Sequence, residues 1–114
     1  MDRTNQRQPA EEWDATLRAF THRNAGRRTI LEIDAPDIGA QEEESDYPFR
    51  GASWDPRDHR VQIMLGEQGS TDQHLTHSIE GAREIGVLRD DAGRDRALRI
   101  VHDGGQTLLR FIEY

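Results

Sequence analysis

The chain has 114 residues, of which 33% are hydrophobic and 32% charged, and it contains no cysteine. This size predicts one domain with a modest core, and the lack of cysteine excludes disulfides, thiolate metal sites and a cysteine nucleophile. All 15 basic residues are arginines against 22 acidic residues, and the net charge of -7 makes nucleic acid an unfavourable partner.

The first predicted element is a helix behind a polar start. Residues 1–8 have no apolar period and are expected to fray, and residues 9–114 are expected to form a single small-barrel domain. Pro9 is typical of a helix start. Three apolar residues follow at spacings of four and three, so they share one face: Trp13, Leu17 and Phe20. Gly26 supplies the left-handed conformation that ends the amphipathic helix.

Strands are predicted beyond the helix. Residues 28–34 (RTILEID) alternate and are rich in β-branched side chains, which indicates a strand. Residues 37–46 contain a glycine and a cluster of acidic side chains, which favours a loop. Further on, HLTHSI and REIGVLR both alternate, and Gly81 between them predicts one strongly bent strand.

A first hairpin joins YPFRGASW to RVQIML through the turn-rich residues 55–59. A register that pairs Phe49 with Leu65 and Trp54 with Arg60 gathers most apolar side chains on one face. The other face then carries Arg50, Ala52, Trp54, Arg60, Gln62 and Met64. On that face, Trp54 beside Arg60 is either a cross-strand cation-π pair or part of an interface.

A second hairpin joins RALRIVH to TLLRFI through residues 103–106, where the pair Gly104-Gly105 favours a two-residue turn. Leu98 then opposes Phe111, and Ile100 opposes Leu109, on a core face. On the reverse face Arg99 opposes Arg110, and like charges that face each other destabilise a sheet. Two explanations remain open. Either an internal partner neutralises the arginines, namely the acidic segment Glu42 to Asp46 or Glu80 and Glu84, or an anionic ligand or partner chain bridges them.

The order of elements predicts a mainly β fold of the α+β type. An N-terminal amphipathic helix is followed by five to six antiparallel strands, which form either a strongly bent sheet or a small SH3-like or Sm-like barrel. Small barrels perform many unrelated functions, so the element order does not predict one.

No catalytic, cofactor or metal site is predicted. His74 and His77 stand three apart on a strand and therefore point to opposite faces, which argues against a shared metal ion. Asp55 and Asp58 with His59 are explained by capping of the turn, although they also suggest acid and base chemistry. No nucleophile motif accompanies them.

The candidate partner-binding residues are Arg50, Trp54, Arg60, Arg99 and Arg110. The first functional hypothesis is a non-enzymatic binding or assembly module, either for another protein or as a homo-oligomer that pairs strand edges. The alternatives are a small-barrel RNA-binding protein and a hydrolase-like enzyme that uses a His/Asp pair, with His59, His74 or His77 as general base and Asp55 or Asp58 as its orienting group. No apolar run spans a membrane and no signal peptide is visible, so a cytoplasmic location is expected.

Four stretches, FTHRNAGRRTILEID, IGAQEEESDYPFRGASWDPRDHRVQIML, HLTHSIEGAREIGVL and ALRIVHDGGQTLLRF, cover nearly all of the chain after its start. In these stretches the sequence resembles a family of short bacterial proteins, domain of unknown function 5335. The resemblance implies a compact bacterial single-domain protein. It implies no activity and no cofactor, because none is assigned to the family.

Overall fold

The helix lies where the apolar spacing predicts it. In the computed structural model, which describes residues 4–7, 9–35, 39–66 and 74–112, a 3-10 turn (Ala10–Glu12) leads into helix α1 (Trp13–Asn24). The residues that α1 buries are Trp13, Leu17, Phe20 and Asn24. Gly26 ends the helix with a φ of 91°, and its N–H donates to the carbonyl of Phe49 at 2.8 Å. The predicted helix is therefore confirmed at both ends.

Within these described ranges, eight antiparallel strands form one open sheet in the order β1-β6-β7-β8-β2-β3-β4-β5. The strands are β1 (Thr4–Arg7), β2 (Arg28–Ala35), β3 (Gly39–Asp55), β4 (Arg60–Gly66), β5 (His74–Glu80), β6 (Ala82–Arg89), β7 (Asp95–His102) and β8 (Gly105–Phe111). The predicted class is confirmed: a helix is followed by a bent antiparallel sheet. Seven strands follow the helix, whereas five to six were predicted.

One segment adds a strand after the helix, and another lengthens a predicted strand. Gly81 has a φ of 68° and separates β5 from β6, so the predicted bent strand is divided at that residue. The loop predicted for residues 37–46 is wrong from residue 39 onward, because the acidic segment forms the first part of β3 and pairs with β2. Strand pairing uses backbone groups, so acidic composition does not prevent it, and the ladder contains two register shifts.

The start of the chain also differs from expectation. Residues 4–7, which were expected to fray, form strand β1 and pair with β6 from Thr4 opposite Arg89 to Arg7 opposite Gly86. Strand addition at a sheet edge uses backbone N–H and C=O groups, so it needs no apolar period. Residues 1–3 and residue 8 lie outside the described residues.

The first hairpin contains a β-bulge that the sequence does not reveal. Phe49 pairs with Leu65 as predicted, but Trp54 pairs with Val61 and not with Arg60, because the register shifts between Phe49 and Gly51. One extra residue turns every later side chain of the strand to the other face. The prediction that Trp54 shares an outer face with Arg50 is therefore wrong.

The bulge lies where α1 contacts β3. The hydroxyl of Thr21 accepts a hydrogen bond from the N–H of Ala52 at 2.9 Å and lies 3.2 Å from the Ala52 carbonyl oxygen. A Cβ at Gly51 would come within 3.2 Å of the Thr21 methyl carbon. Glycine at this position thus allows the helix to approach the strand closely.

The second hairpin keeps its predicted faces but not its predicted register. Leu98 pairs with Leu109 and Arg99 with Leu108, so the prediction that Arg99 opposes Arg110 is wrong. The turn has two residues, as predicted, but they are Asp103 and Gly104 rather than Gly104 and Gly105. This moves the register by two residues, and a shift of two along a strand leaves each side chain on the same face. Gly105 follows the turn with a φ of 129°, and a Cβ there would lie 2.2 Å from a backbone oxygen of β2.

The core lies between α1 and the concave side of the sheet. It combines the apolar stripe of the helix with inward side chains of β2 to β8. The largest fully buried side chains of this core are Phe20, Phe49, Leu17, Leu31, Ile63, Leu65, Ile85, Leu98, Ile100 and Leu109. The reverse face of β7 and β8 is left uncovered by α1, with Val101 and Leu108 half-buried.

In the described ranges, no helix has the length and apolarity that a membrane crossing requires.

Candidate strand-binding edge

Strand β5 lies at one edge of the sheet. It pairs with β4 along its whole length, from His74 opposite Gly66 to Glu80 opposite Arg60, without a register shift. Within the described part of the chain, no strand pairs with the other side of β5. The opposite edge of the sheet differs, because β1 covers β6 there.

One hydrogen bond fixes which backbone groups of β5 point outward. The N–H of Gly81 donates to the carbonyl of His59 at 3.2 Å, at the position that continues the β4–β5 register. In an antiparallel ladder, hydrogen-bonded pairs of opposed residues alternate with pairs that are not hydrogen-bonded. Every second residue before Gly81 therefore also points its N–H and C=O at β4. Those residues are Ile79, His77 and Leu75. The remaining residues, His74, Thr76, Ser78 and Glu80, point their backbone groups away from the sheet.

The side chains of β5 leave this edge accessible. The same four residues whose backbone groups point outward have exposed polar side chains, whereas Leu75 and His77 are half-buried and Ile79 is buried at 4% exposure. Proteins commonly protect such edges with lysine, proline or a bulge. This strand contains none of these. With respect to the described residues, the edge therefore has the length and the unpaired backbone groups that an added strand requires.

The arginines predicted on the first hairpin do not form one surface with Trp54. Arg50 is exposed, contacts the imidazole of His74, and lines a cleft of about 410 Å³. Trp54 packs edge-on against Trp13 on the helix side, with ring centroids 4.6 Å apart. Arg60 lies 3.1 to 3.9 Å from three carboxylates, those of Asp55, Asp58 and Glu80. The predicted cation-π pair between Trp54 and Arg60 is not the contact that the fold makes.

The arginines of the second hairpin have separate internal partners on the outer sheet face. Arg99 lies 3.6 Å from Glu84 and donates to the Gln106 side chain at 2.8 Å. Arg110 pairs with Glu32 on the neighbouring strand β2. Glu84 is one of the internal partners that the sequence predicted for these arginines. Glu32 was not predicted, because the predicted register placed the two arginines opposite each other. The side chains of residues 42–45 lie outside the described residues.

The histidines predicted as possible catalytic groups have different surroundings. His59 packs edge-on against Trp54 at 5.1 Å, and His74 contacts Arg50. The Asp55 carboxylate accepts hydrogen bonds from the backbone N–H groups of Arg57 at 3.0 Å and Asp58 at 3.4 Å, which is the capping role predicted for it. Among the described side chains, no three histidine or acidic groups are grouped closely enough to hold a metal ion.

His102, at the end of β7, is a titratable residue that the sequence analysis did not single out. Its Nδ1 accepts the N–H of Gly104 at 3.2 Å, and its Nε2 lies 3.0 Å from the Thr107 hydroxyl. Burial lowers the pKa of His102 below its ordinary value of 6.5, the nearby His77 lowers it further, and Asp103 opposes them. The fold therefore stabilises the neutral imidazole.

This lowered pKa predicts how stability depends on pH. Between pH 6.5 and the lower pKa of the folded state, the unfolded chain binds more protons at this residue than the folded chain. The free energy of unfolding is therefore expected to fall as the pH drops below 6.5, and to fall less steeply in His102→Gln. Urea denaturation across this pH range measures both slopes. The exposed His22→Gln is the control, and equal slopes in all three proteins would contradict the prediction.

The comparisons with known proteins identify the family of the chain and assign it no activity. A family model described as "Family of unknown function (DUF5335)" matches residues 4–113, so the chain belongs to that family. The resemblance read from the sequence is thereby confirmed. No curated protein and no solved structure matches the chain.

Proposed function

We propose that this domain is a non-catalytic binding module that accepts an extended strand of a partner protein at the outer edge of β5. The observation that carries the proposal is the row of outward N–H and C=O groups at His74, Thr76, Ser78 and Glu80. A partner strand would bond to these groups and extend the sheet by one strand. Backbone bonding would supply affinity, and the side chains beside the edge would supply specificity.

The first support is that the apolar core extends to this edge. Leu75 packs against the core but stays half-exposed, and the buried Ile79 lies four residues away on the same face. An added strand would place its own inward side chains beside these two. The partner is therefore expected to alternate apolar and polar residues.

The second support is that this sheet already accepts a polar strand at its other edge. Strand β1 (Thr4–Arg7) carries no apolar residue and nevertheless pairs with β6 over four residues. The same backbone chemistry is available at β5, where seven residues are in strand conformation.

The two alternative functions have less support. An RNA-binding surface would need Arg50, Trp54 and Arg60 together, and the bulge separates Trp54 from the arginines. A hydrolase would need a histidine and an orienting carboxylate in one cleft, and Asp55 is occupied in capping a turn.

Proline at position 76 tests the proposal. Because the N–H of Thr76 points outward, Thr76→Pro removes no hydrogen bond to β4. It removes one hydrogen bond to an added strand, and the proline ring occupies the space beside the edge where that strand would lie. A displayed library of short linear peptides is the probe. We expect the wild-type domain to enrich peptides and Thr76→Pro to bind them about fivefold more weakly, since one backbone hydrogen bond contributes about 1 kcal/mol.

Two further variants make the test specific to the edge. Thr76→Val keeps the N–H and suits a strand, so it is expected to bind the peptides as the wild type does. His77→Pro removes a bond to β4 and is expected to unfold the domain at lower urea concentration. If a monomeric wild-type domain enriches no peptide, or if Thr76→Pro binds enriched peptides as well as the wild type, the proposal is wrong.

A further inference from the structure

We infer that the strand which pairs with β5 is β5 of a second copy of this chain, antiparallel, with the twofold axis through His77. This inference deepens the proposed function and rests on it, since it names the partner of the same edge. The observation behind it is the sequence of the strand, HLTHSIE, read against its own reverse.

Pairing about His77 places the two His77 side chains opposite each other at the axis and complementary side chains on either side of it. His74 lies opposite Glu80 of the second copy, so an imidazole faces a carboxylate. Leu75 lies opposite Ile79, which pairs two apolar side chains on the core face. Thr76 lies opposite Ser78, which pairs two hydroxyl groups on the exposed face. Apolar pairs on a buried face and hydroxyl pairs that hydrogen-bond stabilise antiparallel sheets.

The direction of the backbone groups permits this register. The outward-pointing residues of β5 are the even-numbered ones, and in this register each even-numbered residue meets another even-numbered residue. The four outward residues of each copy would therefore form about eight hydrogen bonds across the axis. A register shifted by one residue would set outward groups against inward groups, and no ladder could form.

Length also favours this register over the other permitted ones. A shift of two residues in either direction keeps the hydrogen-bond pattern but leaves two residues of the strand His74–Glu80 without a partner in that strand. It also removes either His74 or Glu80 from the pairing, and with it the imidazole–carboxylate pair. Only the axis through His77 uses the whole strand.

Charge away from the edge predicts a dependence on salt. Each copy carries a net charge of -7, so two copies repel each other at long range. Added salt screens this repulsion beyond about 10 Å, whereas the hydrogen bonds of the ladder are short-range. The dimer is therefore expected to become more stable as the salt concentration rises.

Single cysteines in this cysteine-free chain test the register directly. At the axis, the two residues at position 77 form a non-hydrogen-bonded pair with Cα atoms about 4.5 Å apart, which a disulfide can bridge. His77→Cys is therefore expected to give a cross-linked dimer of twice 13.1 kDa under mild oxidation. Thr76→Cys alone and Ser78→Cys alone are expected to stay uncross-linked, because the same residues of two copies stand diagonally, about 7–8 Å apart.

A mixture of Thr76→Cys and Ser78→Cys proteins is expected to cross-link, since these positions oppose each other in the proposed register. This mixture keeps His77 and remains informative if His77→Cys folds poorly. Sedimentation across a concentration series is expected to show a monomer–dimer equilibrium for the wild type and a loss of the dimer in Thr76→Pro.

The outcomes separate this inference from the proposed function. A wild-type monomer that still binds peptides at the β5 edge overturns the self-pairing and leaves the proposed function standing. A dimer that Thr76→Pro does not weaken, or cross-links at position 76 alone, overturns pairing about His77. Absence of both dimer and peptide binding overturns both.

Discussion

Replacement of Phe20 by alanine is expected to lower the free energy of unfolding by about 4 kcal/mol. The ring has 0% exposure and lies between two others, with centroid distances of 5.5 Å to Phe49 on β3 and 5.7 Å to Phe111 on β8. Alanine would remove the apolar contacts and leave a cavity where the helix meets both strands. Urea denaturation followed by far-ultraviolet circular dichroism measures the loss.

Two variants bracket that result. Phe20→Leu keeps most of the volume and is expected to cost about 1 kcal/mol, while Ala15→Ser on the exposed face of the same helix is expected to change stability by less than about 0.5 kcal/mol. If Phe20→Ala were no more harmful than Ala15→Ser, the helix would not pack on the sheet as described.

The sequence was sufficient to predict the helix because its signals are local. Trp13, Leu17 and Phe20 repeat at the helical period, and a glycine with a φ of 91° ends the segment, so the pattern and its termination lie within a few residues. The alternation along β7 and β8 is equally local. It predicted the buried Leu98 and Leu109 correctly, even though the register between the strands was wrong.

Registers and edges were not predictable, because they depend on residues distant in the chain. The bulge between Phe49 and Gly51 lies beside Thr21, which is about thirty residues earlier and bonds to the strand beyond the bulge. The outward direction of Thr76 follows from a hydrogen bond between Gly81 and His59. Alternation gives the two faces of a strand, but it does not show which neighbour is present on each side.

Asp95 was missed for the same reason, and its replacement by alanine is expected to cost about 3 kcal/mol. The side chain is only 4% exposed and accepts from Arg23 of α1 at 2.8 Å, from Asn24 at 2.8 Å and from Arg89 of β6 at 2.9 Å. It therefore joins the end of the helix to two strands. The sequence around Asp95 does not indicate that its carboxylate binds the helix, because its partner Arg23 lies 72 residues away.

A matched variant separates this buried site from a surface ion pair. Asp14 and Arg18 form a pair at 2.6 Å on the exposed face of α1, with side chains 60% and 78% exposed. Exposed pairs of this kind contribute little, so Asp14→Ala is expected to cost less than about 0.5 kcal/mol. A similar loss for Asp14→Ala and Asp95→Ala would contradict the role given to Asp95.

The same carboxylate predicts a loss of stability in acid. Burial alone would raise the pKa of Asp95, but hydrogen bonds from Arg23, Arg89 and Asn24 outweigh burial and hold the pKa below its ordinary value of 3.8. A depressed pKa contributes stability above pH 3.8, and that contribution is lost as the pH falls from there towards the pKa of the folded state. Asp95→Asn cannot titrate, so its deficit relative to the wild type is expected to shrink below pH 3.8. Parallel denaturation curves of the two proteins across that range measure the deficit, and a deficit that stays constant would contradict the linkage.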